Sequence, residues 1–470
     1  MDIHQIQQAL QSLAPSLKGE IMTDDSIRFI YATDASAYRE LPLAVVYPST
    51  KSDIIKLIRF AKENSTSIIP RTAGTSLAGQ VVGNGIVADV SKHMTRIIEI
   101  NKDEKWVKVE PGVILDELNL VLKEHDLFFG PETSTSNRCM IGGMVGNNAC
   151  GSHSLIYGST RDHTLEIETI LSDGSEATFK SISEKEFQNK LKEESLEGKI
   201  YNSIFEILKD DFNQNEIRNE FPDSSLPRRN TGYALDLLLD MQPTNPAGKQ
   251  FNFSKLLAGS EGTLAFTTAV KLNLVPLPPK HKALVCVHLD SVSSALRANI
   301  IALKHKPVAI ELMDDTILEL TKKNIAQEKN RFFVKGKPGA ILIVEFAEDN
   351  PDIIIKKASE MEAEMQKLGH GFHFPIIRGE DIKKVWDLRK AGLGILNNMV
   401  GDEKPVPVIE DTAVNPELLP DYIAEFDLIL KKHGKSCVYY AHIATGELHL
   451  RPILNLKDPK DVELFRTIAE

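Results

Sequence analysis

Short runs of alternating apolar and polar residues, interleaved with stretches whose apolar positions fall three and four apart, fill most of the chain. Leu43–Pro48 reads as a strand, and Thr50 and Ser52 can then cap a helix with Ile54, Ile55, Leu57, Ile58 and Ala61 on one face. Ser67–Pro70 and Gly85–Val90 read as two more strands. Ile97–Ile100 and Trp106–Glu110 read as a hairpin across Asn101–Lys105, and Leu115, Leu118, Val121 and Leu122 mark a second helix. Leu165–Leu171 and Ala177–Phe179 make a second hairpin, with Asp173-Gly174 as its turn pair.

From Ser183 to Asp223 the pattern turns polar and charged, as in an exposed helical insertion. A new unit begins near Lys282. It runs strand Ala283–Leu289, helix Ser294–Lys304, strand Ala309–Leu312, a helix, strand Ala340–Phe346 and helix Ile353–Leu368. No regular βαβ alternation is present, so the expected class is α+β. The second unit is expected to be a mixed αβ domain whose antiparallel sheet is covered on one face.

At 470 residues the chain is too long for one core, and about 100–200 residues per domain predicts two to four units. The net charge of -11 argues against nucleic acid as a partner, because phosphate neutralisation needs clustered Lys and Arg. No apolar run approaches the roughly 20 residues of a membrane span, so no transmembrane segment is expected. The N-terminus lacks the basic and apolar regions of a secretory signal. Cys139, Cys150, Cys286 and Cys437 are scattered, with no CxxC pair, and read as packing residues. The expected setting is cytoplasmic, with peripheral attachment at an inner membrane left open.

Three stretches carry candidate chemistry. Pro70-Arg71-Thr72-Ala73-Gly74-Thr75-Ser76-Leu77-Ala78-Gly79 follows a strand. Its small residues let backbone N–H groups approach a diphosphate, although an ordinary turn-rich loop explains it as well. Pro131-Glu132-Thr133-Ser134-Thr135-Ser136 precedes Ile141-Gly142-Gly143-Met144-Val145-Gly146-Asn147-Asn148-Ala149-Cys150-Gly151. That permissive backbone suits wrapping around a large flat polar ligand, or else is a glycine-rich surface loop. Gly83-Asn84-Gly85-Ile86-Val87-Ala88 has the letters of a dinucleotide fingerprint but leads into a strand, which rules that reading out. In His442-Ile443-Ala444-Thr445-Gly446-Glu447-Leu448-His449, a turn at Thr445-Gly446 would pair His442 directly with His449. Their Cβ atoms would then lie roughly 5 Å apart. That is either a two-point metal clamp or two strand histidines packed in a core.

With PRTAGTSLAGQ, GPETSTSN, IGGMVGNNACG and Leu257-Ala258-Gly259-Ser260-Glu261-Gly262-Thr263-Leu264 in this order, residues of about 40–275 resemble the FAD-binding domain of the vanillyl-alcohol-oxidase and p-cresol-methylhydroxylase flavoproteins. Residues of about 280–470 resemble that family's C-terminal substrate domain. The implied boundaries are an N-terminal helical segment over 1–37, a two-subdomain FAD-binding domain over 38–278 and the substrate domain over 279–470. The resemblance implies that Pro70, Arg71, Thr72, Ala73, Gly74, Thr75, Ser76 and Leu77 hold the FAD pyrophosphate. Pro131, Glu132, Thr133, Ser134, Gly142, Gly143, Asn147, Asn148, Ala149 and Gly151 would run along the ribityl and flavin ring portions. Glu168, Ile170 and Glu261 would complete the cradle. The first loop has Thr72 and no His, which implies non-covalent FAD, with Cys150 leaving attachment open.

Within that family the chain is most similar to D-lactate, glycolate and D-2-hydroxyglutarate dehydrogenases. Arg229-Asn230-Thr231-Gly232-Tyr233-Ala234-Leu235 resembles their K-N-T-G-Y-D-L, with Ala234 in place of Asp. Trp386-Asp387-Leu388-Arg389 resembles their W-x-x-R, which makes Arg389 the receptor of the substrate carboxylate. A guanidinium fork suits that task, although Arg389 alone would read as a solvated helix residue, and Lys404 nearby reads as structural. The histidine stretch resembles H-x-G-D-G-N-L-H and implies a zinc-like divalent metal on His442 and His449, with Ala444, Thr445 and Glu447 departing from the pattern. Together with Arg451-Pro452, this variant resembles long family members fused to iron–sulfur domains. Iron–sulfur clusters are therefore expected only in a downstream part.

The family's third metal ligand and catalytic base lie in an E-H-G motif, which does not occur in this sequence. The apolar pattern Val462, Leu464, Phe465, Ile468 is cut at Glu470. The expectation is a segment of a longer protein, one that binds FAD, oxidises a small D-2-hydroxy acid poorly by itself, and lacks its base. An iron–sulfur domain, a quinone or another flavoprotein would take the electrons, and a homodimer is allowed. The competing readings are an alcohol or sugar oxidase of the same fold, in which Arg389 would matter little, and a flavin-binding electron-relay subunit.

Overall fold

Local capping sets where the helices start. In the computed structural model, which describes residues 3–226, 228–229 and 232–470, Thr50 accepts from the N–H of Asp53 and Asp53 returns the bond. This capping box opens the helix Lys51–Glu63, whose buried face is Ile54, Leu57, Phe60 and Ala61. The chain forms two units, Met1–Cys150 with Ser159–Asp223 and Asn230–Leu277, and Gly151–Gly158 with Ser224–Arg229 and Pro278–Glu470.

The first unit holds β1 (Glu20–Met22), β2 (Ala44–Tyr47), β3 (Ile68–Arg71) and β4 (Ile86–Asp89) in the order β1-β2-β4-β3. β2 and β3 run parallel to β4, while β1 pairs antiparallel with β2. Leu10 packs with Leu43, Ala44 and Leu57, so the N-terminal stretch belongs to this layer. Next come β5 (Ile97–Asn101), β6 (Trp106–Val109), β7 (Leu127–Phe128), β8 (Thr164–Ile170), β9 (Glu176–Lys180), β10 (Phe266–Asn273) and β11 (Val275–Pro276). Five of them form an antiparallel sheet in the order β5-β6-β10-β8-β9, and β7 pairs with β11. The polar stretch after Ser183 forms the helices Glu184–Lys190, Leu196–Lys209 and Asp211–Glu220. They are not a loosely attached insertion, because Phe187 and Tyr201 lie 4.7 and 4.6 Å from Phe251 and Phe253 in a buried aromatic cluster.

The second unit holds β12 (His281–Leu289), β13 (Ala309–Asp314), β14 (Ala340–Glu348), β15 (Ile376–Arg378), β16 (Lys404–Pro405), β17 (Ile409–Ala413), β18 (Cys437–His442) and β19 (Glu447–Leu454). They make one antiparallel sheet, β15-β12-β14-β13-β18-β19-β16, with β17 also on β19. Both faces are covered, not one. Val285, Val287, Leu342 and Val344 pack against residues of the helices Val292–Lys304 and Pro351–Lys367. Leu284, Cys286, Ile341 and Ile343 pack against residues of the helices Asp315–Lys322 and Asp381–Asn397. The sequence carries the reason: β12 and β14 are near-continuous apolar runs, the signature of strands buried on both sides. No helix among the described residues is long and apolar enough to cross a membrane.

Candidate active site

In the first unit the glycine-rich stretches meet. The helix Ile141–Gly146 starts where Gly142 N–H donates to the Pro111 carbonyl at 2.8 Å. A Cβ on Gly142 would lie 2.5 Å from the Cβ of Pro111, so only glycine fits this approach. Gly143 sits against the Thr72 hydroxyl, and Gly262 against the ring of Pro70. Gly259 and Glu261 donate their N–H groups to the carbonyls of Val145 and Gly146, at 2.8 and 2.9 Å. Gln80 ties the first loop to the rest, its amide donating to Asn147 at 2.7 Å and to Glu261 at 3.3 Å. Asn148 accepts from the backbone N–H of Arg161 at 2.8 Å. Pro131–Ser136 leads into this region, with Thr133 donating to Cys139 Sγ at 3.3 Å.

Thus Pro70, Thr72, Gly142, Gly143, Asn147 and Glu261 are brought together, and Arg71, folded over the Tyr31 ring at 4.9 Å, borders them. Glu168 and Ile170 have other partners. Glu168 holds Lys51 and Lys108, and Ile170 packs with Ile54, Ala88 and Phe266. Gln80, which sequence reasoning did not single out, carries a buried Oε1 with no partner among the described residues. An acceptor left open where the loops converge fits a bound polar ligand. Asn230 and Thr231 lie outside the described residues.

The second unit gathers a charged cluster on the sheet face that packs against the helix Asp381–Asn397. β18 and β19 do not pair as expected. The turn is longer, with Ile443–Thr445 in a tight helical turn and Gly446 left-handed at φ 75°. His442 therefore opposes Glu447, and Tyr440 opposes His449. The register moves by two residues, which keeps both histidines on one face as diagonal neighbours, and their rings lie 5.0 Å apart.

Each imidazole is held from behind by a carboxylate. His442 Nδ1 lies 2.7 Å from Glu311, and His449 Nδ1 lies 2.6 Å from Glu410 and 3.3 Å from Asp411. Asp411 reaches His449 from a bulge in β17, with a left-handed φ of 57°. Glu311 and Glu410 each have a second partner, Arg389 and Arg451, while Arg228 pairs with Glu447. Four carboxylates thus face three guanidiniums, an excess of negative charge that favours a cation. Burial pushes His442 down to about 4 against the pull of Glu311, so it is neutral, as a metal ligand must be. Burial would lower His449 as well, but Glu410 and Asp411 raise it.

Arg389 is buried, not solvated, with its guanidinium 3.3 Å from the Tyr440 ring centroid. Its Nε has no partner among the described residues, so one donor stays open for a ligand carboxylate. Trp386 anchors the same helix by donating to buried Glu345 at 3.0 Å. Lys404 donates to the Met399 carbonyl and has a structural role. Glu311, Glu410, Arg228 and Tyr440 escaped the sequence reading, and Arg451 entered it only as part of the resemblance. For Glu311 a signal existed, because a charge inside the apolar strand Ala309–Asp314 must be paired.

Residues 42–180 match the FAD binding domain family, and residues 278–470 match the family of FAD linked oxidases, C-terminal domain. The chain is 35% identical to a D-2-hydroxyglutarate dehydrogenase of Pseudomonas putida, over 96% of this chain and 45% of that protein. It is 23% identical to the glycolate oxidase subunit GlcD of Bacillus subtilis, over 93% of this chain and 78% of that protein. A 4-ethylphenol oxidase from Gulosibacter chungangensis shares the fold, with a TM-score of 0.67 at 13% identity, covering 99% of this chain and 86% of that one. The chain spans about half the length of the D-2-hydroxyglutarate dehydrogenases it matches, 45% of the Pseudomonas protein. With both domain families matched in order on one chain, the protein belongs to the FAD-linked oxidases, flavoproteins with an FAD binding domain followed by the oxidase C-terminal domain.

Proposed function

We propose that the protein oxidises a small D-2-hydroxy acid, of the 2-hydroxyglutarate, lactate or glycolate class, to the 2-oxo acid. The observation that carries this reading is a buried arginine with an open Nε, on the helix that packs against this sheet face, beside two carboxylate-backed imidazoles of the sheet. Arg389 receives the substrate carboxylate. Its stacking on Tyr440 and its pairing with Glu311 hold the guanidinium in one orientation. Glu311 and Glu410 fix the two ring tautomers and leave Nε2 of His442 and His449 as the remaining donor atoms. This is how metal-binding histidines are oriented. The pair would hold a divalent metal, which supplies a Lewis acid for the substrate hydroxyl. FAD supplies the two-electron acceptor for the α-hydride. The electrons would pass on to an iron–sulfur domain, a quinone or a second flavoprotein.

Anaerobic mixing of the FAD-loaded protein with D-2-hydroxyglutarate, D-lactate and glycolate tests the reading. A D-acid is expected to bleach the flavin and its L-enantiomer is not. Retention of oxidised flavin with every D-acid over hours would overturn the assignment.

The flavin cradle has its own test. Gly142→Ala forces a Cβ within 2.5 Å of Pro111 Cβ and 3.0 Å of its carbonyl oxygen. Overpacking of this kind costs roughly 1–3 kcal/mol, at most about a five- to 150-fold rise in the Kd for FAD. Fluorescence titration of the apoprotein with FAD measures it, and an unchanged Kd would remove Gly142 from the cradle.

A further inference from the structure

Glu447 stands where the resembling H-x-G-D-G-N-L-H stretch has Asn, and nothing in the dehydrogenase reading assigns it a task. It is fully buried on β19, opposite His442 and two residues before His449, and therefore on the same face as both. A carboxylate oxygen of Glu447 and one ring nitrogen each of His442 and His449 all lie within 4.8 Å of one another. Glu410 and Asp411 also come near His449, but on its Nδ1 side, at 2.6 and 3.3 Å. They back the ring and do not share its open edge.

We propose that Glu447 is a metal ligand, so that His442, Glu447 and His449 form a three-residue set carried by a single hairpin. The inference rests on the metal reading above and deepens it. Two imidazoles and one carboxylate on one face suit a divalent transition ion, with the remaining positions open to water or a substrate oxygen. Arg228, paired with one oxygen of Glu447, fixes the carboxylate in the way outer partners orient ligands elsewhere. Both strands hold the set at fixed register.

The test uses the FAD-loaded chain, stripped with a chelator and titrated calorimetrically with Zn2+, with metal content measured after dialysis. Wild type is expected to take up one ion. Glu447→Gln should weaken binding at least tenfold, and Glu410→Gln should weaken it less. Equal affinity in wild type and Glu447→Gln would overturn the proposal while leaving the histidine site standing. No uptake by wild type would overturn the metal reading itself, and the proposal with it. Should Glu447→Gln fail to fold, Glu447→Asp decides. It keeps the charge that neutralises Arg228 but shortens the reach. Weaker Zn2+ binding supports a ligand, and undiminished binding shows that Glu447 only pairs with Arg228.

Discussion

Arg389→Met is expected to end hydroxy-acid oxidation while the protein keeps its FAD. Truncating one member of a buried hydrogen-bonded charge pair costs about 2–5 kcal/mol. If the lost partner is the substrate carboxylate, kcat/KM falls by roughly thirty- to several-thousand-fold. The same substitution leaves Glu311 buried beside His442 without its guanidinium. That orphaned charge costs roughly 3–5 kcal/mol of stability, so a loss of activity in Arg389→Met alone is ambiguous. Two further variants separate the causes. Arg389→Lys keeps the charge on Glu311 but loses the planar fork, and should retain most of the stability with kcat/KM down at least tenfold. Arg389→Met with Glu311→Gln removes the buried charge and should regain stability without regaining activity. Near wild-type kcat/KM in a folded Arg389→Met protein would remove the carboxylate receptor and favour an alcohol or sugar oxidase.

Outside the continuously apolar β12 and β14, strand positions were legible because a period of two survives in the sequence even when the partner strand is unknown. The same period shows a face but not a register. That is why His442 and His449 were correctly given one face and incorrectly paired with each other. The glycine-rich loops were legible as places of close backbone approach, because contacts such as Gly142 on Pro111 leave a compositional mark. The partners of Glu168, Lys51 and Lys108, lie on other elements, so its ion pairs were not legible from local sequence. The second site was legible only as Arg389 and two histidines. What builds it joins Glu311 to Arg389 and His442, Glu410 to His449 and Arg451, and Arg228 to Glu447. Those residues come from opposite ends of the unit, and no local spacing connects them. A charged residue inside an apolar strand announces that a partner exists without naming it.

The turn between β18 and β19 carries the second large expectation. Gly446 is left-handed, with φ 75°, and a Cβ there would fall 1.7 Å from the carbonyl oxygen of Val414. The obstacle is backbone, and it is held in place because Val414 N–H donates to the Gly446 carbonyl at 3.0 Å. An L-residue in the left-handed region costs about 1–2 kcal/mol by itself. The clash adds to this, because the strap from β17 must move or the turn must be rebuilt. Gly446→Ala is therefore expected to destabilise the second unit by about 3–5 kcal/mol, and to abolish Zn2+ uptake, because His442 and His449 flank the turn that sets their register. FAD binding, which belongs to the first unit, should persist. Gly394→Ala is the matched control. Gly394 lies in the helix Asp381–Asn397, a Cβ there meets nothing within 4 Å, and the change should be neutral or stabilising by up to about 1 kcal/mol. Thermal unfolding and metal content of the two variants decide the point. A Gly446→Ala protein that melts with wild type and still binds Zn2+ would show that the imidazole pair does not depend on this turn.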